Sequence, residues 1–249
     1  MGEEAVNYRN TLVKRLANLR SCYVLDAGTG AGTMTRVLSA NLKASIVSVD
    51  RNPRVFPDLH NRVDRSKVDF VACDFTSLPF IDTAFCSIIC DLVLSTTTNL
   101  DISQVLTEFN RTLRAKSALY VTDYYPEERP RNRRARLAVA TWKLLREVLE
   151  HRGMTRKETP PELITQLLDK AGFHNVRLER IAASEELEWK KRVFAEYYNG
   201  VKNMISTLDS QETRRTLRHK LEELKNEIEV NGKPVNWGWG PNYMIHASE

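Results

Sequence analysis

The chain has 249 residues, enough to bury one full core and leave room for a cap or an insertion. Hydrophobic residues make up 42% and charged residues 28%, which excludes a disordered or fibrous chain. Net charge is +5, from 37 basic against 32 acidic residues, a mild excess that does not by itself imply nucleic acid.

Residues 3–19 place Val6, Val13, Leu16 and Leu19 at helical spacing among charges and predict an amphipathic helix. A short buried strand, Cys22-Tyr-Val-Leu-Asp26, then runs into a glycine-rich turn, and residues 33–42 carry a helical pattern. Ser45–Asp50 predicts the second strand and Val68–Asp74 the third, with Pro53 and Pro57 punctuating the loop between them. The apolar run Phe85–Leu94 predicts the fourth strand, residues 101–114 a helix, and Ala118–Asp123 the fifth strand. Strands alternating with helices in this way imply a doubly wound α/β fold, its sheet parallel and covered on both faces. Right-handed crossovers follow.

After residue 126 the pattern changes. Residues 131–152 are helical and basic, and 160–171 form a helix with proline at its start, where a missing N–H costs nothing. A sixth strand spans about Asn175–Ile181, and Asn242–Ala247 closes the chain as a seventh. Between them, 184–230 is a charged helical stretch in which Asp209-Ser-Gln-Glu212 has the form of a capping box. It opens a helix with Leu221, Leu224 and Ile228 on one face. The expectation is one domain over 1–249, with a cofactor-binding core at 1–126, a helical cap at 127–173 and a helical insertion at 184–233.

No apolar run approaches the roughly 18 residues needed to span a bilayer, and the N-terminus is acidic, so a cytoplasmic protein is expected. Cys22, Cys73, Cys86 and Cys90 form no C-x-x-C pair and lie in or beside apolar runs. Free buried thiols are the expectation, with no disulfide, and the scattered histidines predict no metal site.

The informative segment is Val24-Leu-Asp-Ala-Gly-Thr-Gly-Ala-Gly32. A strand runs straight into glycines at 28, 30 and 32, which let the backbone turn tightly and approach a ligand. The helix that follows adds unpaired N–H groups. A dinucleotide fingerprint would need its third glycine where Thr33 stands. The acid at Asp26 suits a cationic ligand such as S-adenosylmethionine, with its ammonium and sulfonium, and would repel a pyrophosphate. Asp50 ends the second strand, where a carboxylate can accept both ribose hydroxyls. Asp74 ends the third, an acceptor for an adenine amino group beside the apolar wall of Phe75.

VLDAGTGAG, SIVSVDRNP and DFVACDFTSLPF resemble the successive motifs of the class I S-adenosylmethionine-dependent methyltransferases. LPFIDTAFCSIICDLVLS and LLDKAGFHNVRL are similar to segments of the ubiquinone/menaquinone-biosynthesis-like branch, the type 11 methyltransferases. The resemblance implies a seven-stranded, mostly parallel sheet and S-adenosyl-L-methionine as cofactor. It implies cofactor-binding roles for Asp26, Gly28, Thr29, Gly30, Asp50, Arg51, Asp74, Phe75 and Asp91. The chain departs from that branch at Cys86, where an acid is usual, and at Ala115-Lys-Ser117, where a Pro-Gly-Gly turn is usual.

Candidates for the acceptor side lie at the ends of the fourth and fifth strands. Asp91 interrupts an apolar strand, and a carboxylate buried there is either paired or functional. With Tyr124 it is the candidate catalytic pair, and Asp123 and Tyr125 stand beside them. Neither the Asn-Pro-Pro-Tyr pattern that grips base amines nor a Pro-Cys nucleophile is present at this exit. Residues 127–136 carry five arginines. They make either a solvated helix start and lid over a small or medium-sized organic acceptor, or a phosphate grip in a tRNA or rRNA methyltransferase. A homodimer through 184–233 is a further expectation, as is an aromatic wall from Trp237-Gly-Trp-Gly-Pro241.

Overall fold

The structure, a computed structural model, describes residues 8–94, 101–126, 130, 132–154, 159–181, 187–235, 237 and 242–249. By its contacts the chain divides into two compact units, Met1–Asp123 with Thr159–Ala182 and Pro241–Glu249, and Tyr124–Glu158 with Ala183–Gly240.

The first unit is the sheet. Its strands are β1 (Tyr23–Ala27), β2 (Ser45–Asp50), β3 (Val68–Ala72), β4 (Phe85–Asp91), β5 (Leu113–Asp123), β6 (His174–Arg180) and β7 (Tyr243–Ser248), in the order β3-β2-β1-β4-β5-β7-β6. The first five are parallel, and β7 runs antiparallel to both its neighbours. Parallel strands buried on both faces need near-continuous apolar runs, which Val24-Leu25 and Ile88-Ile89-Cys90 supply in β1 and β4. The order reverses between β1 and β4, and at such a switch point the carboxyl ends of the strands open a crevice.

Helices α1 (Tyr8–Leu16) and α2 (Thr33–Asn41) cover one face, packing Tyr8, Leu12, Leu16, Met34 and Leu38 on Val24, Ile46, Ile89 and Tyr120. The buried stripe of α1 is thus Tyr8, Leu12 and Leu16, one residue out of phase with the expected Val13. Helices α3 (Ile102–Thr112) and α5 (Pro161–Lys170) pack on each other, so α5 belongs with the sheet.

The structure corrects several expectations. Strand β4 stops at Asp91 because Leu92, whose N–H makes the last bond of the ladder to the Thr122 carbonyl, takes φ 58° and turns the chain out of the sheet. Strand β5 starts five residues early, at Leu113, which lies opposite Phe85 before a register shift. The predicted free thiols of Cys22 and Cys86 form a disulfide. Both sit at the irregular start of the β1–β4 ladder, where the register shift brings their Cα atoms to 6.1 Å. Cys73 and Cys90 are free.

The second unit is helical. Helix α4 (Arg133–His151), α6 (Leu187–Ser206) and α7 (Gln211–Ile228) bury Leu144, Val148, Val201, Ile205, Leu208, Leu217 and Leu221 against one another. The predicted helical stretch 184–230 thus holds α6 and, opening at the capping segment, α7, and a short hairpin follows at 229–234. Ser210, rather than Asp209, caps α7, its hydroxyl accepting the Thr213 N–H. After α7, Asn231 and Gly232 at φ 52° and 69° turn the chain between Glu229–Val230 and Lys233–Pro234, as an Asn-Gly hairpin turn requires. Trp237 is fully buried against Phe194 and lies beside Leu137 and Ile228. Residues 238–241 of the aromatic loop lie outside the described residues. Among the described residues no helix is long and apolar enough to cross a membrane.

Candidate functional site

The turn after β1 is held from below. The amides of Gly28 and Thr29 both donate to the Val49 carbonyl, and Gly32 donates to Thr29. Gly28 has φ 99°, and a Cβ there would lie 2.3 Å from Val93 Cγ2, just past the end of β4. Gly30 differs, because a Cβ at that position meets no described atom within 4 Å. The loop thus presses its first glycine against the exit of β4 and leaves the second open, which suits close approach of a ligand to its backbone.

Asp50 ties this loop to the next. One of its oxygens accepts the Gly30 N–H at 2.9 Å, and the other accepts the Asn52 N–H at 2.9 Å. A carboxylate offers about four lone-pair sites, so roughly two remain, the number a pair of vicinal hydroxyls needs. Asp74 is more committed. One oxygen accepts both the N–H and the hydroxyl of Thr76, and the other faces Arg51 at 2.9 Å. Those Thr76 hydrogen bonds, with Arg51 adding to them, hold the Asp74 carboxyl below its usual range. Between the two acids lies Cys73, its thiol pushed up to about 11 by burial and the neighbouring carboxylates. At neutral pH it is a thiol, not a nucleophile.

Asp26 does not line the open crevice. It is 1% exposed and lies beneath the loop, where Thr35 Oγ1 donates to Oδ2 at 2.6 Å and Ser48 Oγ donates to the same atom at 2.9 Å. Thr29, expected at the cofactor, turns its hydroxyl inward to Ser48 at 2.7 Å. The other oxygen of Asp26 is buried without a hydrogen-bond partner among the described residues. Burial raises this carboxyl from its ordinary value to about 7 against the two hydroxyl donors, with Asp91 and Asp50 adding to the rise. Phe75 is also buried, its ring 6.5 Å from that of Phe109 on α3, so it braces the wall from behind.

The Asp91 side chain is 6% exposed and multiply partnered. Tyr8 donates to its two oxygens at 3.0 and 3.2 Å, Arg9 approaches at 3.4 Å, and Thr122 of β5 donates a short hydrogen bond. Burial and the adjacent Asp91 push the Tyr8 hydroxyl well above its ordinary pKa, so it stays a donor. A carboxylate so occupied is a fixture of the floor rather than an open base. Tyr124, its expected companion, belongs to the second unit, where its ring lies 5.4 Å from Trp142. Asp123 ends β5 fully buried.

The glycines, Asp50, Arg51 and Asp74 come together at adjoining strand ends, the glycines and the two acids expected from their spacing and Arg51 only from the family resemblance. Tyr8, Arg9, Ser48, Thr35 and Thr122 carried no such signal. Tyr8 lies 83 residues from its partner, and a lone serine or threonine in a strand or helix has no pattern to mark it. In the described part of the basic run, Arg133 pairs with Glu227 of α7 at 3.7 Å; Arg129 and Arg131 lie outside the described residues. No group of His, Cys, Asp or Glu among the described residues could hold a metal ion.

Residues 24–116 match a family model described as a methyltransferase domain. No curated protein sequence matches the chain. Several solved structures are similar in fold. The cyclase SpnF aligns at 16% identity and TM-score 0.59 over 96% of this chain and 78% of its own. A phosphoethanolamine N-methyltransferase of Haemonchus contortus, solved with phosphomonomethylethanolamine and S-adenosylhomocysteine, aligns at 16% identity and TM-score 0.59 over 98% of this chain. The chain spans 52% of that protein's length. A SAM-dependent methyltransferase of Archaeoglobus fulgidus aligns at 17% identity and TM-score 0.54, over 97% of this chain and 94% of its own. At such identities the likeness speaks for the fold, which hosts a cyclase as well as methyltransferases.

Proposed function

We propose, from the match of residues 24–116 to a methyltransferase-domain model and from the class I methyltransferase fold, that the protein is an S-adenosylmethionine-dependent methyltransferase of small or medium-sized organic acceptors. The observation that carries this is the pairing of an open Gly30 with an Asp50 that keeps about two acceptor sites free at the same strand ends. S-adenosylmethionine, when bound, supplies a methyl group on a sulfonium for in-line displacement. In this reading Asp50 takes the ribose hydroxyls, the loop at Gly28–Gly32 takes the methionine end, and Asp74 with Arg51 borders the base. What the chain adds to the chemistry is placement of the acceptor and exclusion of water. A general base is required only for an acceptor that must lose a proton.

Asp50→Ala should weaken S-adenosylhomocysteine binding by about 1.5–3 kcal/mol, the range for hydrogen bonds to a charged group, while the fold survives. An unchanged dissociation constant by calorimetry would move the ribose site elsewhere.

The arginine run separates the two acceptor classes. The apolar side of α4 is spent inside the helical unit, with Leu144 and Val148 in its core, and Arg133 is engaged by Glu227. Both favour a structural cap over a phosphate grip. Binding to a mixed tRNA pool should therefore be weak and should vanish with salt. Replacing Arg131, Arg133 and Arg134 with Ala should leave cofactor affinity near wild type. Submicromolar, sequence-selective RNA binding that disappears in this variant would instead establish the tRNA or rRNA reading. The apolar residues of α7 are likewise used internally, so a homodimer through 184–233 would be made by the charged outer faces of α6 and α7. A cytoplasmic site of action belongs to the same proposal, and in a reducing cytosol Cys22 and Cys86 would stand as thiols.

A further inference from the structure

Asp91 ends β4, and the chain beyond it has no room to adjust. Leu92 sits at φ 58° with its N–H bonded to Thr122, and Val93 then fills the space that a side chain at Gly28 would need. The position of Asp91 is thereby transmitted within two residues to the first glycine of the loop. Asp91 itself is gripped from α1 by Tyr8 and Arg9 and from β5 by Thr122. The guanidinium of Arg9 also lies 4.6 Å from the centre of the Tyr8 ring, which joins the two α1 groups into one unit.

We propose that Tyr8 is a positioning residue for the cofactor loop: through Asp91 it fixes the exit of β4, and through Val93 it fixes Gly28. The proposal rests on the reading of that loop as a cofactor site. Tyr8 touches no ligand in this account. It acts by holding a carboxylate that would otherwise need another donor or a proton in a buried place. A first turn of α1 that comes away from the sheet would release the β4 exit and loosen the glycine turn, so cofactor affinity becomes coupled to the docking of the N-terminal helix.

Tyr8→Phe in the full chain removes one hydroxyl and keeps the ring in the core. Leu12→Ala, one turn further along α1, destabilises the same helix without touching Asp91 and serves as the control. S-adenosylhomocysteine binding by calorimetry, well below either melting temperature, should weaken about tenfold or more in Tyr8→Phe and stay within about twofold of wild type in Leu12→Ala. Independently of any ligand, amide hydrogen exchange at Gly28 and Thr29, whose N–H groups are bonded to Val49, should be faster in Tyr8→Phe than in Leu12→Ala. A Tyr8→Phe protein that melts lower yet keeps wild-type affinity and wild-type exchange at Gly28 and Thr29 would overturn the proposal and leave Tyr8 a packing residue. If wild type itself bound no S-adenosylhomocysteine, the functional reading would fall, while the exchange comparison would still decide whether Tyr8 governs the loop.

Discussion

Gly28→Ala should cost the protein its cofactor affinity almost completely. The residue has φ 99°, outside the small left-handed region open to L-residues, and its added methyl would lie 2.3 Å from Val93 Cγ2. Neither side can yield easily, because the Gly28 and Thr29 amides are both tied to Val49 and the β4 exit is anchored through Asp91. Left-handed strain of about 1–2 kcal/mol and overpacking of about 1–3 kcal/mol combine to roughly 2–5 kcal/mol. If the strain is relieved by displacing the loop, the dissociation constant for S-adenosylhomocysteine rises about 30-fold to several thousandfold. Gly30→Ala is the informative companion. At φ 46° it carries left-handed strain of about 1–2 kcal/mol but meets no described atom, so it should lower the melting temperature less than Gly28→Ala and still weaken binding, because the methyl projects into the open space beside the loop. Calorimetry and thermal melts on the two variants separate a loop deformed from within from one obstructed from outside.

The second large effect concerns pH. Asp26 is fully buried, and burial raises its carboxyl to about 7 despite the Thr35 and Ser48 hydroxyls. In the unfolded chain an aspartate titrates near 3.9. Between those values the folded state holds a proton that the unfolded state has lost, so stability from this group is complete below about pH 4 and declines as pH rises through about 7. The difference corresponds to about 4 kcal/mol across that window. Chemical denaturation from pH 4.5 to 8 should therefore show a slope in wild type that Asp26→Asn flattens. A cationic ligand beside the loop would favour the ionised form, so S-adenosylmethionine should bind with proton release and more tightly at pH 8 than at pH 6. Parallel pH profiles in wild type and Asp26→Asn would deny Asp26 this role.

Much of this site could be read before the fold was known, and the reason is local. The turn glycines and the acids at the ends of β2 and β3 depend on backbone conformation and strand position, which short sequence patterns encode. What escaped depends on contacts between distant segments. The partners of Asp91, Tyr8 and Arg9, lie more than 80 residues away and reach it only once α1 docks. Cys22 and Cys86 meet through a register shift at the start of two strands, which no spacing rule announces. Thr29 and Phe75 occupy the expected positions, yet one turns its hydroxyl inward and the other meets Phe109 edge-on behind the wall, since rotamers answer to neighbours rather than to motifs. The Asn-Gly turn at 231–232, just past the predicted helical stretch 184–230, pairs two strands of only two residues each, too short to carry an alternating pattern of their own.

The proposed S-adenosylmethionine site is the crevice at the ends of β1, β2 and β3. Its most direct test is a thermal melt of the purified protein with saturating S-adenosylhomocysteine and, separately, with nicotinamide dinucleotides. A ligand that binds only the native state at about 100 times its dissociation constant adds about 2.7 kcal/mol, so S-adenosylhomocysteine should raise the melting temperature by several degrees. Nicotinamide dinucleotides should leave it where it was. A rise with a nicotinamide dinucleotide and none with S-adenosylhomocysteine would contradict the account.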